Sequence, residues 1–181
     1  MNVGVIGLGM TGMAYCIGLT YVQSNKVVGV DARESRESLT RARLLKSEVL
    51  FVCLPTYPLG TYTPETQLNT TILNGEIHTL AAEKFEGIVA VVSTVPNGFL
   101  SEKVLEFCRL KFACVPNFIR DEIGVDDFSE NRPNIIVGSD LISAIKPVAH
   151  AFGGYPQTLT AVSLEAAAGY GRNPNWNAFA R

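Results

Sequence analysis

Residues Val3 to Gly12 read Val-Gly-Val-Ile-Gly-Leu-Gly-Met-Thr-Gly, an apolar run that enters a Gly-x-Gly-x-x-Gly turn formed by Gly7, Gly9 and Gly12. A helical pattern from Met13 to Tyr21 follows, and a second apolar run, Val27–Val30, ends at Asp31, nineteen residues beyond Gly12. Strand, glycine turn, helix, strand and acid in this order constrain the start of the chain to a βαβ unit with parallel strands. Gly7 makes the tight turn, Gly9 lets an external group approach the backbone, and Gly12 lets the helix pack close on the strand. The free N–H groups and positive end of that helix suit a pyrophosphate, and Asp31 suits the two ribose hydroxyls of an adenosine. Gly7, Leu8, Gly9, Met10, Thr11, Gly12 and Asp31 are therefore the candidate cofactor-binding set. A carboxylate beside a 2′-phosphate costs on the order of a few kcal/mol, which favours NAD over NADP. Arg33 and Arg36 lie close enough in sequence to soften that preference. A Rossmann-like turn without a ligand is the alternative reading of the same glycines.

Apolar runs and helical patterns alternate along the rest of the chain, the signature of a doubly wound parallel sheet. Strands are expected at Val3–Ile6, Val27–Val30, Val49–Leu54, Ile88–Val92, Phe112–Val115 and Ile135–Val137. Helices are expected near Met10–Tyr21, Arg41–Lys46, Thr70–Lys84 and Leu100–Cys108, the last burying Leu100, Val104, Leu105 and Cys108. After Gly138, Asp140 is placed to cap a helix through Ile142, Ile145, Val148 and Phe152. The stretch from Asp31 to Glu48 leaves room for a stub of a third strand near Ser38–Thr40. Pro55 to Pro64 is rich in Pro, Gly and Thr and reads as a loop leaving the carboxyl end of a strand, where ligands bind in such folds. The expected class is α/β, a single Rossmann-like domain over residues 1–165 with an irregular tail over 166–181.

Length and composition fit this reading. The chain has 181 residues, 47% of them hydrophobic and 18% charged, enough for one sizeable core. A formal net charge of −2 provides no electrostatic footprint for nucleic acid, and no basic run suggests a membrane surface. No apolar stretch approaches spanning length and Met1-Asn2 leads straight into a strand, so a cytoplasmic setting without a signal peptide is the expectation. Cys16, Cys53, Cys108 and Cys114 have neither disulfide-scaffold nor metal spacing, and Cys16 and Cys53 read as small core residues. His78 and His150 are isolated in sequence, and no metal is expected.

Three further segments end strands: Val52-Cys53-Leu54-Pro55-Thr56, Ser93-Thr94-Val95-Pro96-Asn97-Gly98 and Pro116-Asn117-Phe118-Ile119-Arg120-Asp121. Asp127-Phe128 and Ile135-Ile136-Val137-Gly138 follow. With the opening turn, these segments resemble the UDP-glucose/GDP-mannose dehydrogenases, the nucleotide-sugar 6-dehydrogenases, over the amino-terminal NAD-binding domain of that family. The family oxidises a sugar C6 alcohol to a carboxylate in two NAD-dependent steps through a cysteine thioester. The resemblance implies that Thr56 and Thr94 lie at the nicotinamide end of NAD and that Arg36 contacts its adenosine side. It implies that Asn117, Phe118, Ile119, Arg120 and Asp121 touch substrate and cofactor, with Thr94 and Asp121 the candidate catalytic residues. The two threonines also read simply as turn caps.

The chain departs from the family pattern in four places. Asn117 replaces a Glu, and an amide does not exchange a proton near neutral pH. Asp121 replaces a second Glu and is shorter by a methylene. The family's central-helix Lys and Asn fall on Gly171 and Asn175, with Pro174 between them to disrupt a helix. The family's nucleophilic Cys belongs to a second domain, and none of the four cysteines here replaces it. The expected function is a shortened nucleotide-sugar dehydrogenase-like protein that binds NAD, with a nucleotide sugar and a second chain supplying Lys and Cys as candidate partners. A non-catalytic NAD-binding regulatory or partner subunit is the alternative. A β-hydroxyacid-type dehydrogenase, with a similar opening turn, is a third reading.

Overall fold

Strand β1 (Asn2–Ile6) is central to the sheet because parallel neighbours flank it on both sides. In the computed structural model, which describes residues 1–31, 39–60, 67–117, 128, 134–153 and 158–170, Val3 pairs with Val27 of β2 (Lys26–Val30) and with Val49 of β3 (Val49–Val52). Beyond the short strands β4 (Tyr57–Pro58) and β5 (Leu68–Asn69), the sheet continues through β6 (Ile88–Val91), β7 (Lys111–Cys114), β8 (Asn134–Gly138) and β9 (Thr158–Val162). The seven-stranded order is β2-β1-β3-β6-β7-β8-β9. The chain steps one way from β1 to β2 and the other way from β1 to β3, which opens a crevice above their carboxyl ends.

β-branched and aromatic residues form these strands, and their alternation fills two apolar layers. Leu50 and Val52 of β3 face one layer, Val49 and Phe51 the other, and all four are fully buried. The first layer is closed by α2 (Leu39–Leu44), α3 (Thr71–Ala82), α4 (Phe99–Glu106) and α6 (Leu164–Tyr170), through residues such as Leu44, Ile77, Leu100 and Leu164. The second is closed by α1 (Met10–Thr20) and α5 (Ile142–Ala151). There the rings of Tyr15, Phe51, Phe128 and Phe152 meet, with Tyr15 edge-on to Phe128 at 5.1 Å.

The α/β Rossmann-like class and the read strands are present, with several local differences. The sheet is not wholly parallel: β8 meets β7 antiparallel at Cys114 and Gly138, a neighbour that needs no crossover back across the sheet. Leu39 and Thr40, expected in a strand stub, open α2, and Ser38 lies outside the described residues. Tertiary ion pairing favours the helix, because the buried Arg41 guanidinium reaches Glu76 at 2.7 Å and also Glu83, tying α2 to α3. Within the expected loop after Pro55, Tyr57 and Pro58 pair with Asn69 and Leu68. Edge strand β9 lacks a buried alternation, so its sequence carried no strand signal.

Two side-chain assignments also change. Asp140 does not cap α5; its Oδ1 accepts the N–H of Leu164 at the start of α6, and Ser139 Oγ accepts the N–H of Leu141 instead. On α4, Leu105 is exposed while Phe99, Leu100 and Lys103 are buried, and Cys108, expected on this helix, lies beyond its end and is exposed. Five residues from Leu100, Leu105 is rotated about 140° off the packed face. Lys103 buries its stem, with its ammonium ion-paired to Glu106 and above the rings of Phe99 and Phe107.

Helix α6 contributes Leu164, Ala167 and Ala168 to the core, and its Glu165 holds the start of α4. The carboxylate accepts the N–H of Gly98 at 2.9 Å, the N–H of Ser101 at 3.3 Å and the hydroxyl of Ser101 at 2.8 Å. Burial raises the Glu165 pKa, but these bonds at a helix N-terminus outweigh it and hold the carboxyl below its ordinary value. A folded-state pKa below the unfolded one stabilises at neutral pH, and the contribution disappears as pH falls through the folded value. Glu165→Gln is therefore expected to lower stability by about 1 kcal/mol at pH 7, with the gap to wild type closing below about pH 4, as read by denaturant titration at both pH values.

Candidate functional site

Above the carboxyl ends of β1, β2, β3, β6 and β7 lies a cleft of about 750 Å³. Each strand delivers one short segment to it. Gly9, Met10, Thr11 and Gly12 follow β1, and Asp31 follows β2. Cys53 to Tyr57 follow β3, Val92 to Thr94 follow β6, and Asn117 follows β7. Ile72, in the first turn of α3, completes the described wall.

The glycine turn is shaped by close approaches. Gly7 has φ +87° and its N–H donates to Val30 O at 2.9 Å, which locks the turn onto β2. A Cβ on Gly12 would sit 1.8 Å from the Gly7 carbonyl oxygen, a backbone atom that has no room to move. Gly9 differs: its φ of −70° suits any residue, and a Cβ there would meet no atom within 4 Å. As N-cap of α1, Gly9 has no capping side chain, so the first-turn N–H groups are left for an external acceptor. Leu8 turns away onto β2, where it would touch a Cβ placed on Gly29 at 3.0 Å. It does not line the cleft.

The far end of the cleft is held by hydrogen bonds between strand ends. Ser93 Oγ lies 2.7 Å from Leu54 O and 3.2 Å from Val52 O, joining the segments that carry Thr56 and Thr94. Asn117 Nδ2 donates to Thr11 Oγ1 at 3.2 Å, bridging the β7 exit to the first turn of α1. Burial, with a smaller contribution from Cys16, pushes the Cys53 thiol far up, so it remains protonated at neutral pH. Burial likewise pushes Cys114 up to about 12. No His, Lys or Glu stands among the described lining residues.

The structure thus gathers Gly9, Met10, Thr11, Gly12, Asp31, Thr56, Thr94 and Asn117 into one cleft, with Gly7 shaping the turn beneath. Arg33, Arg36, Phe118, Ile119, Arg120, Asp121, Gly171 and Asn175 lie outside the described residues. Sequence reasoning passed over Leu54, Ile72 and Val92 as lining residues. The Pro-rich loop was a signal for the region around Tyr57, but nothing local marks Ile72, whose position depends on where α3 starts. Among the described residues, no group of three or more His, Cys, Asp or Glu side chains is placed to hold a metal, and no helix is long and apolar enough to cross a membrane.

No family model and no curated protein sequence matches the chain. Solved structures match it in fold. GDP-mannose dehydrogenase from Pseudomonas aeruginosa is similar at a TM-score of 0.74 and 18% identity, over 99% of this chain and 50% of that one. A UDP-glucose dehydrogenase from Pyrobaculum islandicum is similar at 0.71 and 17%, over 92% and 47%. The 3-hydroxyisobutyrate dehydrogenase of Mycobacterium tuberculosis gives 0.57 and 14%, over 93% and 56%. The chain spans about half the length of these structures and shares their α/β fold.

The contrast between Gly9 and Gly12 yields a paired prediction. Gly12→Ala is expected to destabilise the fold by about 2 kcal/mol or more, because a methyl cannot enter between α1 and the Gly7 carbonyl. Gly9→Ala is expected to stay within about 1 kcal/mol of wild type while obstructing a ligand on the turn. Thermal unfolding combined with ligand titration of both variants checks the two arms.

Proposed function

We propose that the chain binds NAD across the cleft, as a dinucleotide-binding domain of the nucleotide-sugar dehydrogenase type. The observation that carries this reading is the convergence of the uncapped α1 N-terminus, the open face of Gly9 and Asp31 in one crevice at the point where strand order reverses. In this reading the pyrophosphate lies on the first turn of α1, against Gly9 and within reach of the N–H groups of Met10, Thr11 and Gly12. Asp31 accepts from the adenosine ribose hydroxyls and opposes a 2′-phosphate. The nicotinamide end then extends over β3, β6 and β7, where Thr56 and Thr94 offer hydroxyls to its amide. Bound there, NAD supplies a hydride acceptor.

Arg36 is proposed to stand on the adenosine side. Phe118, Ile119, Arg120 and Asp121 are proposed to meet a nucleotide sugar, with Thr94 and Asp121 nearest the chemistry. The domain, expected over residues 1–165, is proposed to run on through α6 to Tyr170, because Ala167 and Ala168 pack in the core and residues 166–170 are helical rather than irregular. The four unpaired thiols fit a reducing cytoplasm.

A second reading rests on Asn117 and on the neutral Cys53. Neither exchanges a proton near neutrality, and among the described lining residues no His, Lys or Glu stands in their place. This favours a non-catalytic or regulatory NAD-binding role, with any oxidation of a nucleotide sugar drawing Lys and Cys from a partner chain.

Calorimetric titration of the full chain tests both readings. Saturable binding of NAD is expected, with NADP weaker by about tenfold or more. Asp31→Ala is expected to weaken NAD and to narrow the gap to NADP. No heat with either dinucleotide overturns the proposal. Incubation of the chain alone with NAD and UDP-glucose, UDP-N-acetylglucosamine or GDP-mannose is expected to produce no NADH, and turnover with any of them overturns the non-catalytic reading.

A further inference from the structure

We propose that a cavity at the amino ends of β6 and β7, at the opposite end of the sheet from the cleft, is a second ligand site, one that takes a phosphate monoester carrying a flat ring. The cavity has a volume of about 690 Å³ and is built where α3 and α4 end and the chain turns back into β6 and β7. The length of β6, about 13 Å, separates it from the cleft, so the site is independent of NAD binding.

Phe85, Phe107 and Leu110 give the cavity apolar walls, and the cations of Lys84, Arg109 and Lys111 line it with them. Phe85 and Leu110 are buried, whereas Phe107 is half-buried and leaves part of its ring open to a flat ligand. Two carboxylates also line the cavity. Glu106 is already matched by Lys103 and by His78 Nε2 at 3.3 Å, which leaves Glu86 against three cations. The Lys111 ammonium donates to the Glu86 carbonyl oxygen at 3.3 Å, while Lys84 and Arg109 enter no ion pair among the described residues. A guanidinium fork together with an ammonium suits a phosphate dianion. These cations are not needed to close the helices. The N–H groups of Lys84 and Phe85 already meet Ala81 O and Leu80 O at the end of α3, and that of Phe107 meets Lys103 O at the end of α4. Lys84 moreover holds φ +55°, a conformation that glycine adopts at less cost, so a lysine stands there against the preference of the backbone.

Alkylation of Cys108 in the full chain reads occupancy, because this thiol lines the cavity and is exposed, whereas Cys16, Cys53 and Cys114 are buried or half-buried. UMP and phenyl phosphate are expected to slow the alkylation saturably. Uridine, which lacks the phosphate, and inorganic phosphate, which lacks the ring, are expected to need about tenfold higher concentrations or more. Lys84→Gly is expected to melt no lower than wild type and yet to bind UMP about tenfold more weakly. Arg109→Gln is expected to weaken UMP by about the same factor. Absence of protection by both esters overturns the proposal, and UMP held only in the dinucleotide cleft counts as such an absence, since that site does not shield Cys108. Unchanged protection in Lys84→Gly also overturns it, as does protection by inorganic phosphate or uridine equal to that by UMP. None of these outcomes alters the NAD-binding reading, which is tested at the other end of the sheet.

Discussion

The contact between Gly12 and the carbonyl of Gly7 determines the geometry of the ligand-facing side. With no side chain at Gly12, α1 begins directly against the turn that ends β1, and its first turn lines the crevice. The positive φ of Gly7 and its bond to Val30 then keep the turn tied to β2, which carries Asp31 at its end. The dipole of α1, its first-turn N–H groups and the Asp31 carboxylate are thus placed relative to one another by one backbone approach.

Among the described residues, the opposite half of the cleft is held by neutral groups. Ser93 draws the ends of β3 and β6 together, and Asn117 draws the end of β7 to α1, both through neutral hydrogen bonds. Such bonds are directional and keep their form over a wide pH range, unlike an ion pair. They position hydroxyls and an amide, and no His, Lys or Glu stands beside them among the described lining residues. The described parts of the two halves therefore differ in kind: one combines the α1 N-terminus with the Asp31 carboxylate, and the other presents hydroxyls, an amide and apolar side chains.

Much of this was legible in the sequence because it depends on local chemistry. Glycines at the three turn positions, the apolar run before them and the acid after β2 each impose a backbone or charge requirement that no distant residue has to supply. The segments that end β3, β6 and β7 were legible as strand ends for the same reason. What was not legible depends on partners far along the chain. Asp140 looks like a cap for the helix that follows it, yet it serves Leu164, twenty-four positions on. Thr40 looks extended, yet Arg41 commits it to α2 through acids on α3. Leu105 matched an apolar spacing, but Lys103 took the packed face because its stem and its ion pair with Glu106 fit there. β9 went unseen because an edge strand has no need of a buried alternation.

The grip of Glu165 on Gly98 and Ser101 has a mechanical side. Its carboxylate joins the first turn of α6 to the first turn of α4, four residues after Thr94. Leu164, Ala167 and Ala168 seat the rest of α6 in the core, so the helix cannot swing independently of the sheet. Glu165 therefore ties the helix at the far end of the described chain to the segment that begins four residues beyond Thr94, on the wall of the cleft.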